Sequence, residues 1–86
     1  MSESLHDERR RESRVATFKR GVIRFGANGM ELPCRVVDQT QGGAGLSVSS
    51  TFGLPQVFRL AIEGEPGTRH CRVIWTDFRK LGVSFE

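Results

Sequence analysis

From Val15 to the end of the chain, apolar residues fall in short alternating runs separated by glycine-bearing breaks, the spacing of strands and hairpins rather than of helices. Val15 to Phe25 forms the first run, with Gly21 expected to mark a bulge or bend inside it. Gly26, Ala27, Asn28 and Gly29 then supply a turn into Met30 to Asp38, so the first two strands should pair as a hairpin. Ala44 to Ser49 and Gln56 to Glu63 follow, joined through Gly53, Leu54 and Pro55. In the second of these, Phe58, Leu60 and Ile62 alternate with Arg59 and Ala61 and define one apolar face. Gly64, Glu65, Pro66 and Gly67 make the strongest turn signal and lead into Thr68 to Thr76, where Cys71, Val73 and Trp75 share a face. The last run, Leu81 to Phe85, turns Leu81, Val83 and Phe85 inward. Phe18, Phe25, Phe58, Phe85 and Trp75 have the spacing of core residues in this scheme, the other reading of these rings being a base-stacking platform.

Six short strands without a helix exclude a βαβ arrangement. They predict an all-β domain closed into an antiparallel barrel, because closure removes unpaired strand edges, although a two-sheet sandwich produces the same alternation. The 86 residues suffice for one core and no second domain. A chain this short buries only roughly 60% of its unfolded surface, which favours a compact scheme. Residues 1–14 break the pattern: they are mostly Ser, Glu and Arg without apolar periodicity, and are expected to form a mobile arm ahead of a domain at 15–86. Ser4 and Asp7 have capping-box spacing, but no apolar run follows, so a single helical turn is the most this segment should form.

Charge changes the picture at one place. The net charge of +3 is mild, but Arg9, Arg10, Arg11 and Arg14 cluster within an acidic frame that leaves the first fourteen residues formally neutral. Guanidiniums on such an arm can fork onto phosphate oxygens and stack on base faces; the same run also reads as a solvated tail or a hook for polynucleotide. The second unusual segment is Asp38-Gln39-Thr40-Gln41-Gly42-Gly43-Ala44-Gly45. Its acid can accept from the N–H edge of guanine and its glycines admit a close approach, while the plainer reading is an Asx-type turn between strands.

Taken together, the two segments resemble the PilZ family. Arg10-Arg11-Glu12-Ser13-Arg14 has the R-x-x-x-R form of that family, and Asp38 to Gly43 is similar to its D/N-x-S-x-x-G motif, in the same order and at a fitting separation. Gly42-Gly43-Ala44 followed by Leu46, Val73-Ile74-Trp75, and Leu81-Gly82-Val83-Ser84-Phe85 extend the resemblance from about Glu8 to Phe85. It implies a six-stranded antiparallel barrel with a flexible N-terminal arm, here without the C-terminal helix of many members. It also implies that the arm closes over the second messenger cyclic di-GMP, with Arg10 and Arg14 on phosphates and guanine and Asp38, Thr40 and Gly43 on the opposite wall. Arg9 is a further candidate, for stacking on a guanine of a second ligand molecule. Thr40 departs from the usual Ser but keeps the hydroxyl, and Gly45 stands where many relatives carry a larger polar residue.

Other chemistry is weaker. His6, His70, Cys34 and Cys71 lack the paired spacing of a metal site, and no Ser, His and acid form a recognisable triad. Gly43-Ala44-Gly45 lacks the third glycine and the helix of a dinucleotide fingerprint. No cofactor and no enzymatic activity are expected. Without a leader-like start or an apolar run long enough to span a bilayer, the expected setting is the cytoplasm, with no membrane insertion. Cys34 and Cys71 should then be buried free thiols, a disulfide being the alternative. The leading functional expectation is a cyclic di-GMP receptor acting on an unidentified downstream protein. The alternatives are a small nucleic-acid-binding barrel and a PilZ-like interaction module that binds no nucleotide.

Overall fold

The computed structural model of the protein describes residues 15–86, with side chains from Thr17 onward. The alternating runs become six strands: β1 (Val15–Phe25), β2 (Met30–Gln39), β3 (Gly43–Ser47), β4 (Val57–Ile62), β5 (Arg69–Thr76) and β6 (Lys80–Phe85). No helix is present among the described residues. The strands close into an antiparallel barrel in the order β1-β2-β3-β6-β5-β4, with β4 pairing back onto β1 to complete the ring. The sandwich reading is thereby excluded.

One face of each strand fills the barrel. Ile23, Val36, Leu46, Leu60 and Leu81 are fully or almost fully buried, and Phe58, Ile62, Cys71 and Val83 complete the same cluster. Burying such side chains stabilises a fold by about 1.5–3 kcal/mol each, before entropy is set against it. Cys34 and Cys71 are free and lie in this core. Burial pushes the Cys34 thiol up to about 11 and the Cys71 thiol up to about 12, so neither is a nucleophile at neutral pH.

Three irregularities interrupt the alternation. On β1 the pairing with β2 shifts between Ala16 and Lys19; on β2 the pairing with β3 shifts between Val36 and Asp38; on β5 the pairing with β6 shifts between Val73 and Trp75. An extra residue in one strand moves every later side chain to the other face. The expectation that Phe18 and Trp75 belong to the core is corrected on this ground: Phe18 is 65% exposed and Trp75 50% exposed, whereas Phe58 is buried and Phe25 and Phe85 pack partly against the core. Gly21, expected to mark a bulge, instead pairs regularly with Cys34 on one side and Ile62 on the other. The bulge on β1 lies around Phe18, whose φ of 58° is the only positive value of a non-glycine residue among those described.

Candidate functional site

The connection from β2 to β3 is built around Thr40. Its hydroxyl oxygen accepts from the N–H groups of Gly42 and Gly43, both at 3.1 Å, while its own N–H donates to the Gly43 carbonyl at 2.9 Å. This is a hydroxyl-closed turn of the kind threonine makes as well as serine. The Phe85 N–H donates to the Gly42 carbonyl at 2.8 Å and ties the turn to the end of β6. Gly43 passes so close to β6 that a Cβ there would collide with the Val83 carbonyl oxygen.

Asp38 is placed by the irregularity on β2. Cys34 and Val36 face inward, so strict alternation would send Asp38 inward as well; the extra residue turns it outward, where burying an unpaired carboxylate is avoided. There one carboxylate oxygen accepts from the Gly45 N–H at 3.1 Å. A Cβ on Gly45 would stand 2.9 Å from the same oxygen, so the glycine is what lets the carboxylate lie against the sheet. The mirror arrangement occurs on β5, with β3 and β6 between. The irregularity on β5 turns Trp75 outward, and its indole lies over Gly82, where a Cβ would collide with the ring.

The register joins these two features. Asp38 pairs with Gly45, Gly45 with Gly82, and Gly82 with Trp75, one row crossing β2, β3, β6 and β5 on the outer wall. At the usual strand spacing the row is about 14 Å long, with an acid at one end, an aromatic at the other and a glycine floor between. Beside it, Thr40, Gly42, Gly43, Ile74, Trp75 and Gly82 help line a recess of about 160 Å³. That is less than the roughly 300–1,000 Å³ of an ordinary ligand pocket, so the recess by itself does not enclose a nucleotide-sized ligand.

The neighbouring residue Gln39 serves the barrel mouth. Its side-chain amide donates to Glu65 at 3.1 Å, and Arg69 donates to the other Glu65 oxygen at 2.8 Å while its guanidinium lies 4.4 Å from the centre of the Phe85 ring. The Arg69 hydrogen bond holds the Glu65 carboxyl below the usual carboxylate range; partial burial opposes this, and Gln39 and the charges of Arg69 and Lys19 reinforce it.

Of the residues singled out from the sequence, Asp38, Thr40 and Gly43 therefore come together on one stretch of wall, with Thr40 closing the turn and Asp38 facing outward. Arg9, Arg10 and Arg14 lie outside the described residues. The strand that continues from them begins at the site, since Val15 pairs with Gln39 and Ala16 with Asp38. Trp75 was read from the sequence as core, with a base-stacking platform as the other reading, and its juxtaposition with Gly45 and Gly82 was not anticipated. A large ring on one strand facing a glycine on the next is their only signal, and it is visible only once the register is known. A larger recess, about 500 Å³, lies on the opposite wall beside Arg24, Arg59 and His70, away from the motif. There Arg24 is already paired with Glu31 at 3.1 Å. Among the described residues no group of three or more His, Cys, Asp or Glu is placed to hold a metal ion.

Compared with known protein families, residues 8–86 match the model of the PilZ domain. No curated protein matches the chain.

Proposed function

Because the chain belongs to the PilZ domain family, we propose that it is a cyclic di-GMP receptor whose ligand lies along the row from Asp38 to Trp75 on the outer wall of the barrel. The observation that carries this reading is the conjunction of an outward carboxylate, a glycine floor and an outward indole in one register row. A purine needs this combination: an acceptor for its N–H edge, a flat floor for close approach and a π face for stacking. The bond from the Gly45 N–H orients the Asp38 carboxylate along the row, and an acid is an acceptor suited to a guanine edge.

Thr40 and Gly43 have a positioning role in this account, since the hydroxyl and the backbone are occupied in closing the turn that borders the recess. The wall is cationic nowhere along the row, so the two phosphates of the ligand would fall to Arg10 and Arg14, with Arg9 stacking on a guanine. Attachment of their segment beside Gln39 supports that assignment. Ordering the arm against the barrel on binding would alter a surface available to a downstream protein, a binding switch rather than a catalytic one.

Calorimetric titration with cyclic di-GMP, with GTP and a short oligonucleotide as controls, tests the proposal. Micromolar or tighter selective binding is expected, and the molar ratio reports one ligand or a stacked pair. Asp38→Ala should weaken binding by about 1.5–3 kcal/mol and Trp75→Ala by about 1–3 kcal/mol. Arg10→Ala should weaken it as well. Tight oligonucleotide binding that Asp38→Ala leaves unchanged would replace this reading with a polynucleotide hook, and silence toward every ligand with a module that binds no nucleotide.

A further inference from the structure

At the end of the barrel formed by the β3–β4 and β5–β6 connections, two phenylalanines project into solvent. Phe52 is 94% exposed and Phe78 77% exposed. Neither belongs to the row described above, and neither is a casual exposure, because both are held in place. The turn from Thr51 to Leu54, closed by the Leu54 N–H on the Thr51 carbonyl, carries Phe52 at its corner, and Leu54 packs on the core. The tight hairpin from Asp77 to Lys80 carries Phe78 and Arg79 at its tip, closed by the Asp77 N–H on the Lys80 carbonyl. Thr51 locks the two together: its N–H donates to the Phe78 carbonyl at 3.2 Å and its hydroxyl to the Asp77 carbonyl at 2.8 Å.

The polar groups of these tips are turned onto their own backbone. Ser50 Oγ accepts from the Phe52 N–H at 3.1 Å, and Asp77 Oδ1 accepts from the Phe78 N–H at 2.7 Å. Both rings thus sit on peptide groups whose donors are already satisfied, which is what entry into a medium poor in hydrogen-bond partners requires. A protein interface would instead call on outward polar groups, at about one hydrogen bond per 100–200 Å².

Cations adjoin the Phe78 tip and run away from it along the wall. Arg79 and Lys80 follow Phe78 directly, and the register places Lys80, Ser47, Arg35 and Arg20 in one outward row across β6, β3, β2 and β1. Arg20, Arg35, Arg79 and Lys80 form no ion pair with one another's neighbours among the described residues. Arg20 and Arg35 stand directly opposite each other, a like-charge pairing that is unfavourable without an external anion. Asp77 lies on the hairpin itself, its carboxylate turned onto the Phe78 N–H, whereas Glu63, which accepts the Arg20 N–H, begins the β4–β5 turn at the opposite end of the barrel. The excess of positive charge also opposes pairing of this face with a second copy of the chain.

We propose that this end of the barrel docks on anionic membrane surfaces, Phe52 and Phe78 entering the interface while Arg35, Arg79 and Lys80 meet headgroup phosphates. Two rings and a few cations make a reversible anchor rather than a permanent one. No helix among the described residues is long and apolar enough to cross a membrane, so the contact is peripheral. It is independent of ligand binding at the Asp38–Trp75 row.

Sedimentation of the full chain with phosphatidylcholine vesicles, with and without phosphatidylglycerol, tests this without cyclic di-GMP present, so the outcome does not bear on the receptor reading. Partition onto the anionic vesicles and its weakening by salt are expected. The double variant Phe52→Ser/Phe78→Ser should reduce it by roughly tenfold or more, and Arg79→Glu/Lys80→Glu should remove the preference for phosphatidylglycerol. Unchanged thermal unfolding of both variants shows that folding is not the cause. The proposal is overturned by absence of partition, or by partition that the phenylalanine variant leaves unchanged, which would assign it to the arginines of residues 9–14. Saturable binding of soluble polyglutamate at Arg79 and Lys80 without vesicle binding would assign the face to an acidic protein instead.

Discussion

Single glycines decide where the side chains of the proposed site lie. Gly45 and Gly82 are ordinary outward positions of their strands, and their lack of a Cβ is what brings the Asp38 carboxylate and the Trp75 indole down onto the sheet. Gly82→Ala should therefore lift the indole off β6. Because Trp75 is the only tryptophan, the change is read directly as a red shift of intrinsic fluorescence, accompanied by weaker cyclic di-GMP binding. The cysteines make a second residue-scale prediction. Their folded-state thiols titrate above the ordinary value of 9.0, so the folded state holds protons that the unfolded state releases. The stability this represents is present in full below pH 9 and is lost as the pH rises through about 11 for Cys34 and about 12 for Cys71. Urea unfolding at pH 8 and 10.5 should show a drop at the higher pH, and the drop should be smaller in Cys34→Ala. An unchanged drop in that variant would remove the thiol from the account.

Strands and their bulges are the next scale. The alternation of apolar and polar residues placed all six strands to within about two residues at each end, because a half-buried strand repeats every second position. It misplaced side chains wherever a strand takes up one residue more than its neighbour. Trp75 was read as inward with Cys71 and Val73, and the shift at Ile74 carries it outward; Phe18 was read as core, and the bulge on β1 exposes it. An extra residue leaves no mark in the alternation itself, since it is an ordinary residue of the strand until the partner strand is known. The bulge at Phe18 has an energetic signature. A side chain at φ 58° is strained by roughly 1–2 kcal/mol, least for glycine and most for a β-branched residue. Phe18→Gly should raise the denaturation midpoint, or leave it level once the added freedom of the unfolded chain is counted, and Phe18→Val should lower it by about 1 kcal/mol or more. The reverse order would show that the ring makes a stabilising contact that its exposure conceals.

Across the whole molecule, one core joins all six strands, and each strand contributes to it through a few residues. A domain of this length has a net stability of about 4–13 kcal/mol, so one core truncation should remove a large part of it. Leu46→Ala, at the centre of β3 between β2 and β6, should cost about 2–5 kcal/mol in equilibrium unfolding while leaving a single cooperative transition. A loss confined to part of the barrel would mean that closure is less cooperative than the continuous core implies. Closure also explains the site: pairing β3 with β6 brings residues near position 40 beside residues near position 80, and pairing β1 with β2 brings the start of β1 to Asp38.

The chain by itself determined the number of strands and their order along the chain, the hairpin turns, and the acid, hydroxyl and glycine of the β2–β3 connection, because each of these is written in residues close together in sequence. Only the tertiary structure decided which side of the wall Asp38 and Trp75 occupy, that two glycines form a floor between them, and that Phe52 and Phe78 meet at one end. Those outcomes depend on register between strands that are distant in sequence. A period of two cannot carry that register, since one extra residue inverts every face that follows it.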